Sequence, residues 1–265
     1  MCVCHFTDVQ VVHKMSVKEC VCGVTLLNDE LYVLCNGRVE NQVEVHSSTD
    51  YTLLRSLTVP ALRKNDAEDM AASQRDNSLY IADSGTNCIH RLLPDGSARR
   101  WKVPSEPCGL SVTPGGNLLV MCRGETNRLI ELNVDEGSLV KVRQIELQKD
   151  IVRPCQAVQL TSGHFVVSQR GQSGLCEVDS AGNVTQIYDG ADSAWLKCSC
   201  HVTIDTHDES MFVADQDNHR VVLLSRSLEF IGDVITLTLP NRMYFDHVTR
   251  RLYVGHGCDV TVVQL

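Results

Sequence analysis

Six sulfur-bearing side chains recur along this chain, each a similar distance ahead of an apolar triplet. They are Cys22, Met70, Cys108, Cys155, Cys200 and Met243, and they precede their triplets by 9, 9, 10, 9, 11 and 9 residues. Brought to one ring, four thiols and two thioethers would offer soft ligands that suit Cu(I) and other thiophilic metals. Small or flexible apolar side chains also suit a crowded packing position. The pattern therefore leaves a soft-ligand site and simple packing both open.

Cys198, Cys200 and His201 form the densest local group of metal-ligating residue types. A Cys-x-Cys-His segment becomes a zinc-finger pattern only with a second ligand pair at matching spacing, and none accompanies it. The sequence also has no Gly-x-Ser-x-Gly nucleophile pattern and no glycine-rich phosphate loop. From the sequence we therefore predict no metal, no cofactor and no catalytic residues.

Basic residues recur at two further places in the repeat. Arg38, Arg123 and Arg170 follow the triplets of three units, and Arg153, Lys197 and Arg242 shortly precede the sulfur positions of three units. Several Lys and Arg side chains on one surface are what binding to nucleic-acid phosphates requires. However, the chain has a net charge of −9, a pI of ≈ 5.5 and only 5% aromatic residues. RNA-binding domains are usually basic and supply aromatic rings for base stacking.

The elements that must position these residues follow from the triplets. The triplets begin at Leu31, Leu79, Leu118, His164, Met211 and Leu252, at steps of 48, 39, 46, 47 and 41 residues. Each is followed by a turn, an apolar run, a second turn and another run, which is the pattern of a four-stranded antiparallel meander. A lone meander leaves both apolar faces wet, whereas six units around an axis cover them. The pattern predicts an all-β, six-bladed β-propeller of four-stranded antiparallel blades over residues 1–265, a single domain.

The two ends of the chain predict how the ring closes. The last unit supplies only three strands, the final one at Val260 to Leu265. The apolar-rich segment from Val9 to Met15 stands ahead of the first complete unit. We predict that it pairs beside the last strand and completes the sixth blade.

One segment resembles a known repeat. Phe212-Val213-Ala214-Asp215-Gln216-Asp217-Asn218-His219-Arg220-Val221 is similar to the NHL repeat signature, and Leu79 to Asn87 is a second copy with one extra loop residue. The other four units keep the strand pattern but lose the Asp and the Asn-His-Arg. The resemblance implies a propeller used as a binding platform, as in the C-terminal domains of tripartite-motif proteins. Asp215 and Asn218 are expected to cap the turn between the second and third strands through its backbone.

In such a ring the blade-connecting loops share one face, here called the loop face, with the turns between second and third strands. The six basic residues named above map to the loop face, whereas the opposite face, the hairpin face, carries most of the net negative charge. We predict that a protein partner binds the loop face of a monomeric domain, with Trp195 as an exposed anchor, because interface hot spots favour Trp and Arg. The alternatives are single-stranded RNA on the same face, which some NHL propellers bind, and a soft metal or small ligand at the sulfur ring.

Composition completes the prediction. Hydrophobic residues make up 43% and charged residues 22%, as in folded globular domains, and no apolar run approaches the roughly 20 residues of a bilayer span. The N-terminus lacks the basic and apolar regions of a secretory signal. The 13 cysteines are odd in number and lie mostly within strands, which is not the pattern of a disulfide framework. We therefore expect a cytoplasmic protein without membrane contact.

Overall fold

The computed structural model of the chain describes residues 9–37, 41–135, 138–170, 174–190 and 194–265. These residues form six four-stranded antiparallel sheets. The innermost strands of successive sheets contact each other, and that of the sixth sheet contacts that of the first. The protein is a six-bladed β-propeller, as the repeat predicts.

The first three blades each comprise four consecutive strands. Blade 1 has β2 (Cys20–Leu27), β3 (Glu30–Asn36), β4 (Gln42–Ser47) and β5 (Leu53–Thr58); blade 2 has β6 (Ala67–Ser73), β7 (Ser78–Asp83), β8 (Cys88–Leu92) and β9 (Ala98–Lys102); blade 3 has β10 (Glu106–Val112), β11 (Leu118–Arg123), β12 (Arg128–Asn133) and β13 (Val140–Glu146).

The last three blades differ in one respect, since blade 6 takes a strand from the start of the chain. Blade 4 has β14 (Pro154–Gln159), β15 (Phe165–Gln169), β16 (Leu175–Val178) and β17 (Val184–Ile187); blade 5 has β18 (Ser199–Ile204), β19 (Met211–Asp215), the 3-10 helix Gln216–Asn218, β20 (Arg220–Leu224) and β21 (Phe230–Thr236); blade 6 has β22 (Pro240–Asp246), β23 (Arg251–His256), β24 (Asp259–Gln264) and β1 (Gln10–Ser16).

Burial explains why the triplets dominate the sequence pattern. The second strand of a blade lies between two neighbouring blades, so both of its faces are covered, and every residue of β7 is buried. The fourth strands lie on the outside, and β5 alternates between exposed and half-buried residues. Each apolar cluster joins two adjacent blades, as where Leu34 and Val43 of blade 1 pack with Met70 and Ile81 of blade 2. Burial between blades is therefore what holds the ring together.

Ring closure follows the prediction. β1 pairs antiparallel with β24, from Gln10 opposite Gln264 to Ser16 opposite Asp259. The Ser16 hydroxyl donates to Asp259 Oδ1 at 2.6 Å, and the Val17 N–H donates to the Cys258 carbonyl at 2.8 Å. The first and last segments of the chain are thus joined by backbone hydrogen bonds.

Each innermost strand contains a β-bulge near its start. The bulges leave Cys22, Glu68, Cys108, Cys155, Cys200 and Asn241 without a partner in the register. The residue after the bulge, here called the axial position, is Gly23, Asp69, Gly109, Gln156, His201 or Arg242. Because a bulge re-aims the side chains beside it, these two positions decide what lies near the axis.

No helix among the described residues is long and apolar enough to span a bilayer.

Candidate functional site

The six sulfur residues do not share one structural position. Cys22, Cys108, Cys155 and Cys200 are bulge residues, whereas Met70 and Met243 lie two residues beyond the bulges of their blades. Glu68 and Asn241 occupy the bulge position there. The expected ring of six is therefore corrected to four cysteines. The triplet of blade 4 is also displaced, because β15 begins at Phe165 and His164 belongs to the preceding turn.

The thiols of the bulge cysteines are engaged with protein atoms. Cys22 Sγ donates to the Leu34 carbonyl, and Cys108 Sγ donates to the Pro154 carbonyl at 3.4 Å. Burial raises the pKa of Cys22 and of Cys108 well above the ordinary thiol value. No group of three or more His, Cys, Asp or Glu side chains within the described ranges is placed to hold a metal ion. The geometry of the bulge cysteines in this structure is that of protonated thiols that pack against the protein.

Cys198 and Cys200 differ from the other buried thiols. Their Sγ atoms are 3.3 Å apart, and the hydrogen bond from Cys200 lowers the pKa of Cys198 to about 7. Arg170 Nη2 lies 3.9 Å from Cys200 Sγ and also favours the thiolate.

The axial position holds a polar side chain in four blades, and of these the sequence patterns single out His201 and Arg242 but not Asp69 or Gln156. Asp69, Gln156, His201 and Arg242 are all buried there. The innermost strands have one edge without a strand partner, and its backbone groups need other partners. Asp69 Oδ2 accepts from the Leu110 N–H at 2.8 Å, and Gln156 Nε2 donates to the Leu110 carbonyl at 2.6 Å. Side chains from the blades on either side thus satisfy the free edge of blade 3.

Asp69 and Arg242 form a buried ion pair beside His201. Arg242 Nε lies 3.4 Å from Asp69 Oδ1 and also donates to the Glu68 and Cys22 carbonyls. Burial raises the pKa of Asp69 to about 6, although Arg242 and the Leu110 N–H oppose the shift. Burial, reinforced by the charge of Arg242, lowers the pKa of His201 well below its ordinary value. The imidazole is therefore neutral at pH 7.

Gln156 and His201 line a cavity on the axis. The cavity has a volume of about 370 Å³. Its walls are mainly apolar and include Met70, Leu110, Val202, Met243 and Phe245. Its exposed rim comes from turns between first and second strands, where Gln74, Arg75, Pro114, Thr206 and His247 lie. The cavity therefore opens on the hairpin face, opposite the face predicted to bind.

The basic residues predicted on the loop face differ in exposure. Arg153, Arg170 and Lys197 are exposed, whereas Arg242 is buried and holds backbone carbonyls, so its assignment to the surface is corrected. Arg123 is partly committed to the fold, since its Nε donates to the Pro154 carbonyl at 2.8 Å and its Nη1 to Glu106 at 3.1 Å. Arg38 lies outside the described residues.

Trp195 lines an apolar groove on the loop face. Its side chain is 42% exposed, and Ile187 and Val152, 53% and 49% exposed, line the same groove. The Trp195 carbonyl accepts hydrogen bonds from Asn218 Nδ2 at 2.8 Å and from Arg220 Nη2 at 3.2 Å. The backbone is thus held in place while the indole ring stays accessible, a pre-organised arrangement that favours binding.

The side chains of Asp215 and Asn218 bond each other across their turn and also bond this loop, whereas the predicted capping of the turn's backbone by Asp215 is not observed. Asp215 Oδ1 accepts from the Lys197 N–H at 2.9 Å, and Oδ2 accepts from Asn218 Nδ2 at 2.7 Å and from Arg220 Nε at 2.9 Å. Asn218 donates onward to Trp195, as given above. The motif therefore ties the turn after the second strand to the incoming blade-connecting loop.

Comparison with known proteins identifies the fold but not the function. No protein-family model matches the chain, and no curated protein does. Among solved structures it is similar to virginiamycin B lyase from Staphylococcus aureus, at 12% identity over 97% of this chain and 100% of that chain, with a TM-score of 0.70. It is also similar to a streptogramin B lyase (10%, 97% and 98%, TM-score 0.67) and to a gluconolactonase-like protein (13%, 97% and 91%, TM-score 0.71). At 10–14% identity this likeness shows the propeller fold alone and is not specific to NHL proteins.

Proposed function

We propose that the protein is a non-catalytic binding platform and that the groove around Trp195 on its loop face takes an apolar segment of a protein partner. The observation that carries the proposal is the convergence of Trp195, Ile187 and Val152, all exposed, on one groove. Scattered exposed apolar residues need no explanation, but a grouped set with an aromatic anchor is typical of interaction sites. The NHL resemblance supports the same use of this face.

The charge beside the groove indicates the chemistry of the partner. Arg153 follows Val152 directly and Lys197 lies two residues after Trp195, and both side chains are exposed. Asp150 and Asp189 also line the groove, so the rim is mixed rather than strongly basic. An amphipathic segment with large apolar side chains and flanking carboxylates fits this surface better than RNA does, because RNA needs a predominantly cationic path.

The axial residues support binding rather than catalysis. His201 Nε2 and Asp69 Oδ1 are 3.8 Å apart, too far for a hydrogen bond, so the carboxylate does not orient the imidazole in this structure. The lowered pKa of His201 also makes it a weak proton acceptor. We infer that these groups organise the channel rather than perform acid–base chemistry.

A peptide-display selection tests the proposal without assuming a natural partner. Random peptides are selected on the wild-type domain and depleted on a Trp195→Ala variant. Val248→Ala is the matched control, since Val248 is a 90% exposed apolar residue in the turn between the first and second strands of blade 6, on the hairpin face. We expect enriched peptides to combine aromatic or leucine residues with Asp or Glu, to lose binding to Trp195→Ala, and to keep binding to Val248→Ala.

Charge reversal at Arg153 and Lys197 should weaken the same peptides by roughly tenfold, about 1.4 kcal/mol, if they carry flanking carboxylates. These two residues are better probes than Arg123, whose contacts with Pro154 and Glu106 also stabilise the fold. Peptides that bind all variants equally would refute the groove. A gel shift with mixed single-stranded RNA that weakens steeply with salt and requires Arg153 and Lys197 would instead favour the RNA alternative.

A further inference from the structure

The side chains that line the axial cavity include three with a buried polar atom that lacks a partner. Gln156 Oε1, His201 Nδ1 and Ser73 Oγ are buried and have no hydrogen-bond partner in the part of the chain that the structure describes. All three side chains line the cavity. A buried polar group left unpaired costs about 1–3 kcal/mol, so the two that belong to the contacting side chains Gln156 and His201 need an explanation. That explanation is a partner supplied from the cavity.

The contacts of Gln156 define which atoms are donors and which are acceptors. The Leu110 carbonyl, 2.6 Å from Gln156 Nε2, requires a donor and so fixes the orientation of the amide. The second N–H of the same Nε2 faces His201 Nε2 at 3.3 Å, which makes that ring nitrogen an acceptor. A neutral imidazole then carries its proton on Nδ1. The unpaired atoms are therefore one donor, His201 Nδ1–H, one acceptor, Gln156 Oε1, and the Ser73 hydroxyl.

The charges around the cavity exclude an ionic head group. Asp69 and Arg242 neutralise each other behind the cavity wall, and the unpaired atoms are neutral. Arg75, the lining residue with a full charge, lies exposed at the rim and is paired with Asp135 at 2.7 Å. Burying an ion without a partner is far more costly than burying a hydrogen-bonded neutral group.

We propose that the axial cavity binds a small, uncharged amide with an apolar body. The amide carbonyl would accept from His201 Nδ1–H, and the amide N–H would donate to Gln156 Oε1. The body would lie against the apolar wall formed by Met70, Leu110, Val202 and Met243. A volume of about 370 Å³ is at the lower end of the roughly 300–1,000 Å³ range of ligand sites, so the ligand is of metabolite size. The site is independent of the groove at Trp195 and opens on the opposite face.

Fluorine NMR with three matched probes tests the ligand class. The probes are 4-fluorobenzamide, 4-fluorobenzoate and 4-fluorotoluene, which share the ring and differ in the head group. We expect the amide to bind at least roughly tenfold tighter than the other two. Equal binding of amide and toluene would mean an apolar cavity without head-group recognition, and preference for benzoate would mean an anion site. Either result, or absence of binding, overturns the proposal.

Methionine methyl groups report where the probe binds. In protein labelled with 13C-methyl methionine, the Met70 and Met243 resonances should shift with the amide, while Met15 and Met211, which do not line the cavity, stay in place. Shifts confined to methionines outside the cavity would overturn the assignment.

Two variants separate recognition from folding. Gln156→Met removes one of the two proposed hydrogen bonds at similar volume and should lower the affinity for 4-fluorobenzamide severalfold, towards that for 4-fluorotoluene. Thr203→Phe fills the cavity from a half-buried lining position and leaves Gln156 and His201 themselves unchanged, and it should abolish binding of every probe. An unchanged amide affinity in both variants would refute the site. A crystal structure soaked with the amide in which ordered waters alone contact Gln156 Oε1 and His201 Nδ1 would also refute it.

Discussion

The carboxylate of Asp69 lies 3.4 Å from Nε of Arg242, and both side chains are buried near the axis of the ring. They come from the innermost strands of blades 2 and 6, on either side of blade 1. A buried pair of this kind repays its desolvation only when further hydrogen bonds complete it. The Leu110 N–H and the Glu68 and Cys22 carbonyls supply those bonds.

This pair predicts a pH-dependent stability. The folded-state pKa of Asp69 is about 6, above the value of about 3.9 in an unfolded chain. Between these values the folded state holds a proton that the unfolded state releases, so the free energy of unfolding falls as pH rises. Across the window the loss is about 3 kcal/mol. In urea denaturation, the stability of wild type relative to Asp69→Asn should fall by about 2 kcal/mol between pH 4 and pH 7, since part of the loss occurs below pH 4.

Asp83 provides a control of opposite sign. Burial alone would raise its pKa, but hydrogen bonds from His90 and Thr86 outweigh burial and hold the pKa below its ordinary value. Its contribution is present above the unfolded pKa and is lost as pH falls through the folded pKa. Wild type should therefore lose stability relative to Asp83→Asn on acidification. A pH-independent difference for Asp69→Asn would contradict the assignment of its pKa.

Deleting residues 1–16 should destabilise the whole ring, because β24 would lose its partner β1 and become an exposed edge. Met15 is 8% exposed, and losing the burial of such a side chain costs about 2 kcal/mol. The melting temperature should fall by at least about 5 °C. Val248→Ala, at a 90% exposed side chain in the turn before β23, is the control and should leave it unchanged. Equal melting temperatures for the truncation and the wild type would show that the strand does not close the ring.

Asp215→Ala should be far more destabilising than Asp217→Ala. Asp215 is fully buried and accepts from Lys197, Asn218 and Arg220, so its removal leaves three donors unpaired. We expect a cost of about 3 kcal/mol in chemical denaturation. Asp217 is exposed, and its substitution should stay within about 0.5 kcal/mol. Similar effects for both variants would mean that the NHL-like turn does not support the Trp195 loop.

The bulge cysteines should not retain a thiophilic metal. Cys22 and Cys108 donate to backbone carbonyls, and burial raises the pKa of each, so forming a thiolate would cost both the hydrogen bond and desolvation. After incubation with Zn²⁺ or Cu(I) and gel filtration, elemental analysis should find metal well below stoichiometric. A stoichiometric metal that disappears in a Cys22→Ser, Cys108→Ser variant would restore the soft-metal alternative.

The sequence pattern does not show that Asp69, Gln156 and Arg242 lie at the axis. Spacing from the apolar triplets predicts the six sulfur positions, but that spacing includes the turn between the first and second strands. This turn has two residues in blade 1, at Asn28 and Asp29, and six in blade 5, at 205–210. In blades 2 and 6 the predicted position is wrong by two residues. The bulge residues there are Glu68 and Asn241, not Met70 and Met243. The bulges then select Asp69, Gln156 and Arg242, and the sequence pattern carries no mark of a bulge.

The amino-acid sequence determined the number of blades, the strands within them and the closing role of the N-terminal segment. It could do so because the second strand of every blade is buried between its neighbours and must be apolar. The same apolar run therefore recurs in every unit. Only the tertiary structure decided that Arg242 is buried, that Val152 and Ile187 line one groove with Trp195, and that Gln156 and His201 meet beside a cavity. These residues come from different blades, and their proximity depends on bulges, turn lengths and ring closure, none of which local spacing records.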